Sequence, residues 1–190
     1  KMLSDQFSEC MSWGEKAIAI AEEVDDEETL AHALNSMGSS QMLNQSLTSS
    51  GIALLEQSLA ISFNNSYHEH AARAYAALGS NAVTIKDYSF AKKALEDGIN
   101  YCEERDLDSL KLYMLSWKAR LYLETGKWDE AFTIANNLLK RENLLPVVKI
   151  GALAVVATIK IRRGEPNALP LLLEAKTMAF ETTELQRIIP

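Results

Sequence analysis

Apolar residues along this chain return every three or four positions, in stretches separated by short polar links. From Ala71, the positions Ala72, Ala74, Tyr75, Ala77, Leu78, Ala82 and Val83 keep the step that lays one apolar face along an α-helix. The next helix opens near Phe90, and Ala91, Ala94, Leu95, Ile99 and Cys102 hold the same spacing. Lys86-Asp87-Tyr88-Ser89 between them is a connection of the length that joins antiparallel helices. The pattern then recurs: Leu112 to Leu123 as a first helix, Gly126-Lys127-Trp128-Asp129 as a turn, Ala131 to Leu139 as a second helix.

Laying turn on turn gives a period. Asp87-Tyr88 falls on Lys127-Trp128 at an offset of 40, Gly126 on Gly164 at 38, and Gly38 on Gly79 at 41. Leu55-Glu56 falls on Leu95-Glu96 at 40, and Ile99 on Leu139 at 40. Two helices per period near 40 residues predict a solenoid, because each hairpin buries its apolar face only against its neighbours. The expected fold is all-α, a right-handed α-solenoid of antiparallel hairpins in a single repeat domain. A partial repeat over 1–27 precedes repeats at 28–66, 67–108, 109–145 and 146–182, and 183–190 reads as the start of a further helix. Leu185, Ile188 and Ile189 make that tail apolar where terminal repeats are normally polar. This predicts either a longer parent array or an end packed on another molecule.

Composition narrows the function. Of 190 residues 47% are hydrophobic, enough for a core, while 8 glycines and 4 prolines are too few for a turn-rich β-sandwich. No apolar run reaches the roughly 18 residues of a membrane span, and no basic-then-apolar leader opens at Lys1. A net charge of −7 disfavours the broad basic face that nucleic-acid backbones require. Cys10 and Cys102 stand far apart and outside any CxxC, as expected of reduced thiols in a cytoplasmic protein.

Small residues recur within the repeats. Gly79 and Ala91 are 12 apart, as are Ala119 and Ala131, and Tyr75, Leu78, Leu95 and Tyr122 flank them. These positions resemble the tetratricopeptide repeat, whose two helices cross closely at the small residues. Gln41, Ala82 and Lys160 depart from that pattern, standing where Tyr is typical, and the loop Asn44 to Ser50 carries one extra residue. The strings Tyr101-Cys102-Glu103-Glu104-Arg105-Asp106-Leu107-Asp108-Ser109, Leu112 to Leu121, Gly126 to Ala131 and Thr183 to Pro190 are more specific. They resemble the tetratricopeptide-like superhelical region of LuxR-type bacterial transcriptional regulators, signal-transduction ATPases related to the maltotriose-responsive activator of maltose genes. The resemblance covers about Tyr67 to Pro190; the first third matches by periodicity alone.

The resemblance implies a sensor segment lying between an ATPase module and a DNA-binding module. No GxxxxGK[ST] phosphate loop and no basic recognition helix occurs in this sequence, so neither step is assigned to it. What it implies is a non-catalytic recognition module without a cofactor, taking a protein, a peptide or an anionic small effector in a concave groove. It makes no direct contact with nucleic acid or membrane. A freestanding tetratricopeptide scaffold and a peptide-pheromone receptor are the alternatives.

Family offsets place His32, Asn35, Ser39 and Met42 on the groove wall in the first full repeat, and Arg73, Ser80 and Thr84 in the next. Tyr113, Ser116, Arg120 and Glu124 follow, then Thr158 and Arg162. Three of these are arginines, at intervals of 47 and 42 residues, and a guanidinium offers a planar fork to carboxylate or phosphate. Two readings stand side by side: the arginines bind an acidic ligand, or they pair with Glu124 and its neighbours inside the array.

Other clusters have plainer readings. In His68-Glu69-His70 the imidazoles are two residues apart and diverge by about 200° on a helix, so a solvated helix start is expected rather than a metal site. Glu22 to Glu28 lacks the ligand spacing of a calcium loop and suits a helix N-terminus. Trp13, Trp117, Trp128, Tyr75, Tyr101, Tyr113 and Tyr122 are expected mainly in packing, with Trp128 stapling a turn. Glu56 and Glu96 are equivalent by repetition, and no Ser–His–Asp or Cys–His arrangement can be assembled.

Overall fold

The computed structural model describes residues 7–181. Among them are nine α-helices and no strand: α1 (Phe7–Glu23), α2 (Glu27–Met42), α3 (Thr48–Asn64), α4 (His68–Thr84), α5 (Tyr88–Glu103), α6 (Asp108–Glu124), α7 (Trp128–Leu139), α8 (Pro146–Arg163) and α9 (Ala168–Glu181). The apolar tail around Leu185, Ile188 and Ile189 lies outside the described residues. No described helix is long and apolar enough to cross a membrane.

One turn design separates most of these helices. The backbone N–H of Asp26, Tyr67, Asp87, Leu107, Lys127 and Glu165 donates to the carbonyl five residues earlier, on Ala21, Ser62, Ala82, Cys102, Tyr122 and Lys160, over 2.8–3.0 Å. The residue before each donor has positive φ: Asp25 (58°), Ser66 (58°), Lys86 (66°), Asp106 (54°), Gly126 (81°) and Gly164 (68°). This is the Schellman closure, which satisfies carbonyls that a helix end leaves bare. Four of these positions, 66, 86, 106 and 126, fall 20 residues apart, so the period of 40 is two copies of one helix-plus-turn step. Entry to the next helix is fixed separately. Asp26 accepts from Thr29 N (3.0 Å) and Asp87 from Phe90 N (3.1 Å), while Pro146 opens α8 where a missing N–H costs nothing.

The left-handed region is cheap for glycine and strained for Lys86. Lys86→Gly is expected to raise stability by about 0.5–1 kcal/mol, read as a higher urea midpoint at unchanged slope. A fall in midpoint would mean that the lysine side chain holds the turn.

The chain divides into two compact units, up to Leu110 and from Lys111. In unit 1, α1 packs on α2, α2 on α3, α3 on α4 and α4 on α5, and α2 also lies against α4. Consecutive packed helix pairs of this kind are an all-α helical repeat, as the periodicity requires. The hairpins close around small residues: Gly38 of α2 meets Gly51 and Leu55 of α3, and Gly79 of α4 meets Leu95 of α5. Leu55 and Leu95 are fully buried beneath these crossings. Ser58 Oγ donates to the Ala31 carbonyl over 2.7 Å, pinning α3 to α2 through a buried hydroxyl.

Unit 2 has its own core. Ala119 and Leu123 of α6, Ala131, Ala135 and Leu138 of α7, and Val148, Ala152, Val155, Val156 and Ile159 of α8 form one buried cluster. Ala175 and Ala179 of α9 join Ile150 and Leu153 of α8 in a second. Leu169, Leu173 and Phe180 on α9 remain exposed.

Candidate functional site

On α2, Glu28, His32, Asn35, Ser39 and Met42 step by four and three residues, and so share one side of the helix. On α4, Glu69, Arg73, Ser80 and Thr84 step by four, seven and four residues, and so also share one side. Because α2 and α4 lie side by side, unit 1 brings two predicted wall segments together. Their members differ in exposure. His32, Arg73 and Thr84 are exposed, while Asn35 and Ser39 are half-buried. Met42 is wholly buried and Ser80 nearly so, which removes both from any open surface. Family offsets assign a side but not a depth, and Met42 sits at the α2–α3 crossing, where the Gly51 backbone closes over it.

Polar groups at the far end of this face are already engaged. Asn81 Nδ2 donates to Ser39 Oγ (2.9 Å) and to the Ser39 carbonyl (3.2 Å), tying α4 to α2. Thr84 Oγ1 donates to the Ser80 carbonyl (3.0 Å), and Ser80 Oγ turns toward the Ala77 carbonyl (3.5 Å).

The near end is different. The His32 and His70 rings meet edge to face with centroids 5.7 Å apart. His70 Nε2 faces Glu28 Oε1 at 3.3 Å, and its side chain is only 18% exposed. Arg73 Nη2 donates to Glu69 Oε1 over 2.6 Å and Nε to the same oxygen over 3.2 Å, on the solvent side. Two buried atoms lack a hydrogen-bond partner here: Nδ1 of His70 and Nδ2 of Asn35. Burial, then the charges of His70 and Arg73, hold the His32 imidazole below its ordinary value. Glu69 is held below the usual carboxylate range by its hydrogen bond to Arg73 and that residue's charge.

His68-Glu69-His70 opens α4, with His68 and Glu69 exposed as a solvated helix start requires, and only the half-buried His70 departs from that expectation. His68 Nδ1 lies 2.8 Å from the Tyr101 hydroxyl on α5, and His70 turns to α2. The imidazoles diverge as the helix geometry requires, but His70 joins the face that His32 occupies. The repeat offset of 38–41 carries His32 to positions 70–73, a signal that would have placed His70 on this wall.

The depressed His32 value has a consequence for stability. A histidine harder to protonate folded than unfolded contributes stability fully above its unfolded value, and that stability is lost as pH falls through the folded one. The urea midpoint of the native chain should therefore drop faster between about pH 6.5 and the His32 value than that of His32→Gln. Parallel curves for the two proteins would place the acid sensitivity elsewhere.

In unit 2 the predicted residues lie on α6 and α8. Ser116 is buried with its hydroxyl on the Tyr113 carbonyl (2.8 Å) beside Gly151 of α8, so it too offers no open surface. Tyr113 is half-buried, its ring edge to face with Trp117 at 6.3 Å. The Arg120 guanidinium lies 5.3 Å over Trp117, while its Nε donates to Glu124 Oε1 over 2.9 Å. Thr158 is half-buried. Arg162 is exposed and stacks 5.4 Å over the Trp128 ring, which opens α7 with its indole Nε1 buried and without a partner. Trp13, expected in packing, is instead 62% exposed on α1. Asp25 and Asp26 of the acidic run serve the turn into α2.

Arg73 and Arg120 thus both pair with a glutamate four residues away on their own helix. Such exposed pairs are worth about 0–1 kcal/mol, so they hold the guanidinium without committing it. No family model matches this chain, and no curated protein matches it.

Proposed function

We propose that the chain is a non-catalytic recognition module that binds an acidic peptide or partner segment through first-helix surfaces. By the resemblance of its strings, it is the sensor segment of a LuxR-type regulator working in the cytoplasm. The observation supporting this is the α2–α4 face of unit 1. There the His32 and His70 rings meet edge to face, and the exposed Arg73 is close enough for its charge to bear on His32. Arg73 and the imidazoles can each donate to a carboxylate, as the exposed carboxylates of Glu28 and Glu69 already show, so an acidic ligand would compete with those two for the same donors. Ligand binding would act on flanking modules only through its differential affinity for two states of the array.

A fluorescein-labelled glutamate-rich peptide titrated against the chain should bind, and Arg73→Glu should weaken it by about tenfold or more, equivalent to 1.4 kcal/mol. Equal anisotropy curves for native and variant protein would reject the reading. The parent architecture is tested separately: the neighbouring coding sequence should hold a phosphate loop upstream and a helix-turn-helix downstream.

A further inference from the structure

We propose that the outer side of α9 docks one amphipathic helix of another protein, whose apolar side carries a carboxylate to meet Lys176. This surface belongs to unit 2 and does not depend on the α2–α4 reading.

α9 packs on α8 through Ala175 and Ala179, with Leu171 and Met178 beside them. Leu169, Leu173 and Phe180 fall on the opposite side of the helix and are 66%, 53% and 62% exposed. Lys176 and Thr177 share that side, and with Leu173, Phe180 and Glu181 they line an open depression. The Lys176 ammonium lies 5.8 Å over the Phe180 ring.

The repeat itself excludes one cover for this side. Steps of 40 carry positions 169, 173 and 180 back to Asp129, Thr133 and Lys140 on α7, and to Ser49, Ala53 and Ala60 on α3. The register is the right one, since Leu55, Ala135 and Ala175 occupy equivalent places and are all buried. The six α3 and α7 residues stay exposed even though α4 packs against α3 and α8 against α7. A hairpin added after α9 in the same manner therefore leaves Leu169, Leu173 and Phe180 bare. Inner second helices keep this side polar or as small as alanine; positions 89, 93 and 100 on α5 are Ser, Lys and Asn. Three large apolar residues there on α9 call for a cover from outside the array.

Charge and size choose the occupant. Leu169, Leu173, Lys176 and Phe180 step by four, three and four residues, the spacing of a seam that meets another helix. In a two-fold pair of α9 helices the seam would meet itself in reverse, Leu169 against Phe180. Both Lys176 ammoniums would then come together beside the axis, like charges in an apolar seam. One helix-wide row also falls short of the roughly 800 Å² per partner that a standard interface buries. A single foreign helix fits that row, in the way amphipathic helices lay an apolar side on a receptor. Glu174 is already turned to Lys149 of α8 over 2.7 Å. Covering the row without stranding the Lys176 charge requires a carboxylate on the incoming helix. Glu181, at the end of the depression, favours a basic residue there and gives the docked helix a direction.

The test uses the full chain and two fluorescein-labelled synthetic helices of about 16 residues, long enough to hold a helix. Both carry leucine at heptad a and d positions, except that the central d is glutamate in one and lysine in the other. The glutamate peptide should bind the native chain about tenfold or more tighter than the lysine peptide. Lys176→Glu should reverse that order, and Leu173→Asp should abolish binding of both. Both substituted side chains are exposed, so the variants should keep the native circular dichroism. Absence of binding, or an order of peptides that Lys176→Glu leaves unchanged, overturns the site. Sedimentation as a dimer that Leu173→Asp dissociates overturns it in favour of a second copy. A melting point that Leu173→Asp lowers, with neither peptide bound to the native chain, overturns it in favour of the chain's own residues 182–190.

Discussion

Gly51→Ala should destabilise unit 1 by about 3 kcal/mol or more, the upper range for forcing atoms into a filled interior. A methyl on Gly51 would overlap the Met42 amide nitrogen and stand 2.7 Å from both Met42 Cα and the Gly38 carbonyl oxygen. All three are backbone atoms of the neighbouring helix, so no rotamer change relieves the overlap and the hairpin must open. Thermal unfolding followed by circular dichroism, with the urea slope as a check on compactness, measures the loss. A cost under about 1 kcal/mol would mean that the α2–α3 crossing has slack the packing does not show.

Leu95→Ala should cost about 3 kcal/mol, because the side chain is fully buried between α4 and α5 and leaves a void. The informative partner is Gly79→Ala. Its added methyl would stand 2.6 and 2.7 Å from Cδ2 and Cγ of Leu95, but 3.4 Å from the nearest backbone atom. That overlap lies with a side chain, so it should be milder than at Gly51. It should also shrink when Leu95 is already alanine. The double variant is expected to be more stable than the sum of the two losses predicts, by about 1 kcal/mol, as for residues sharing one space. Strict additivity would show that the two residues do not share it.

The sequence made the fold legible for a physical reason. Helix-period apolarity and equal spacing of turns are both local, and Lys86-Asp87 or Gly126-Lys127 can be read without knowing what lies across the core. The site was legible only in part. Among the residues that the offsets named, His32 and Arg73 are exposed and Arg120 is half-buried, and the pairing of arginines with glutamates on the same helix follows from a four-residue step. Depth did not follow, since Met42, Ser80 and Ser116 are buried by neighbours that a periodic pattern does not name. His70 was legible as a residue but not in its role. Its meaning depends on Glu28 and His32, which lie 42 and 38 positions away. Trp13 shows the opposite limit: an aromatic at a core spacing is buried only where a neighbouring element covers it.

The even beat of left-handed turns at 66, 86, 106 and 126 bears on how this chain tolerates length variation. Losing or gaining one residue inside a helix rotates everything after it by about 100° and turns its greasy side outward. Duplicating or excising a whole stretch from one turn to its second successor returns every later residue to its original facing. Change in such a gene is therefore expected to arrive in blocks of 40 codons. Single-residue indels should be confined to connections that depart from the beat, such as the stretch between α2 and α3.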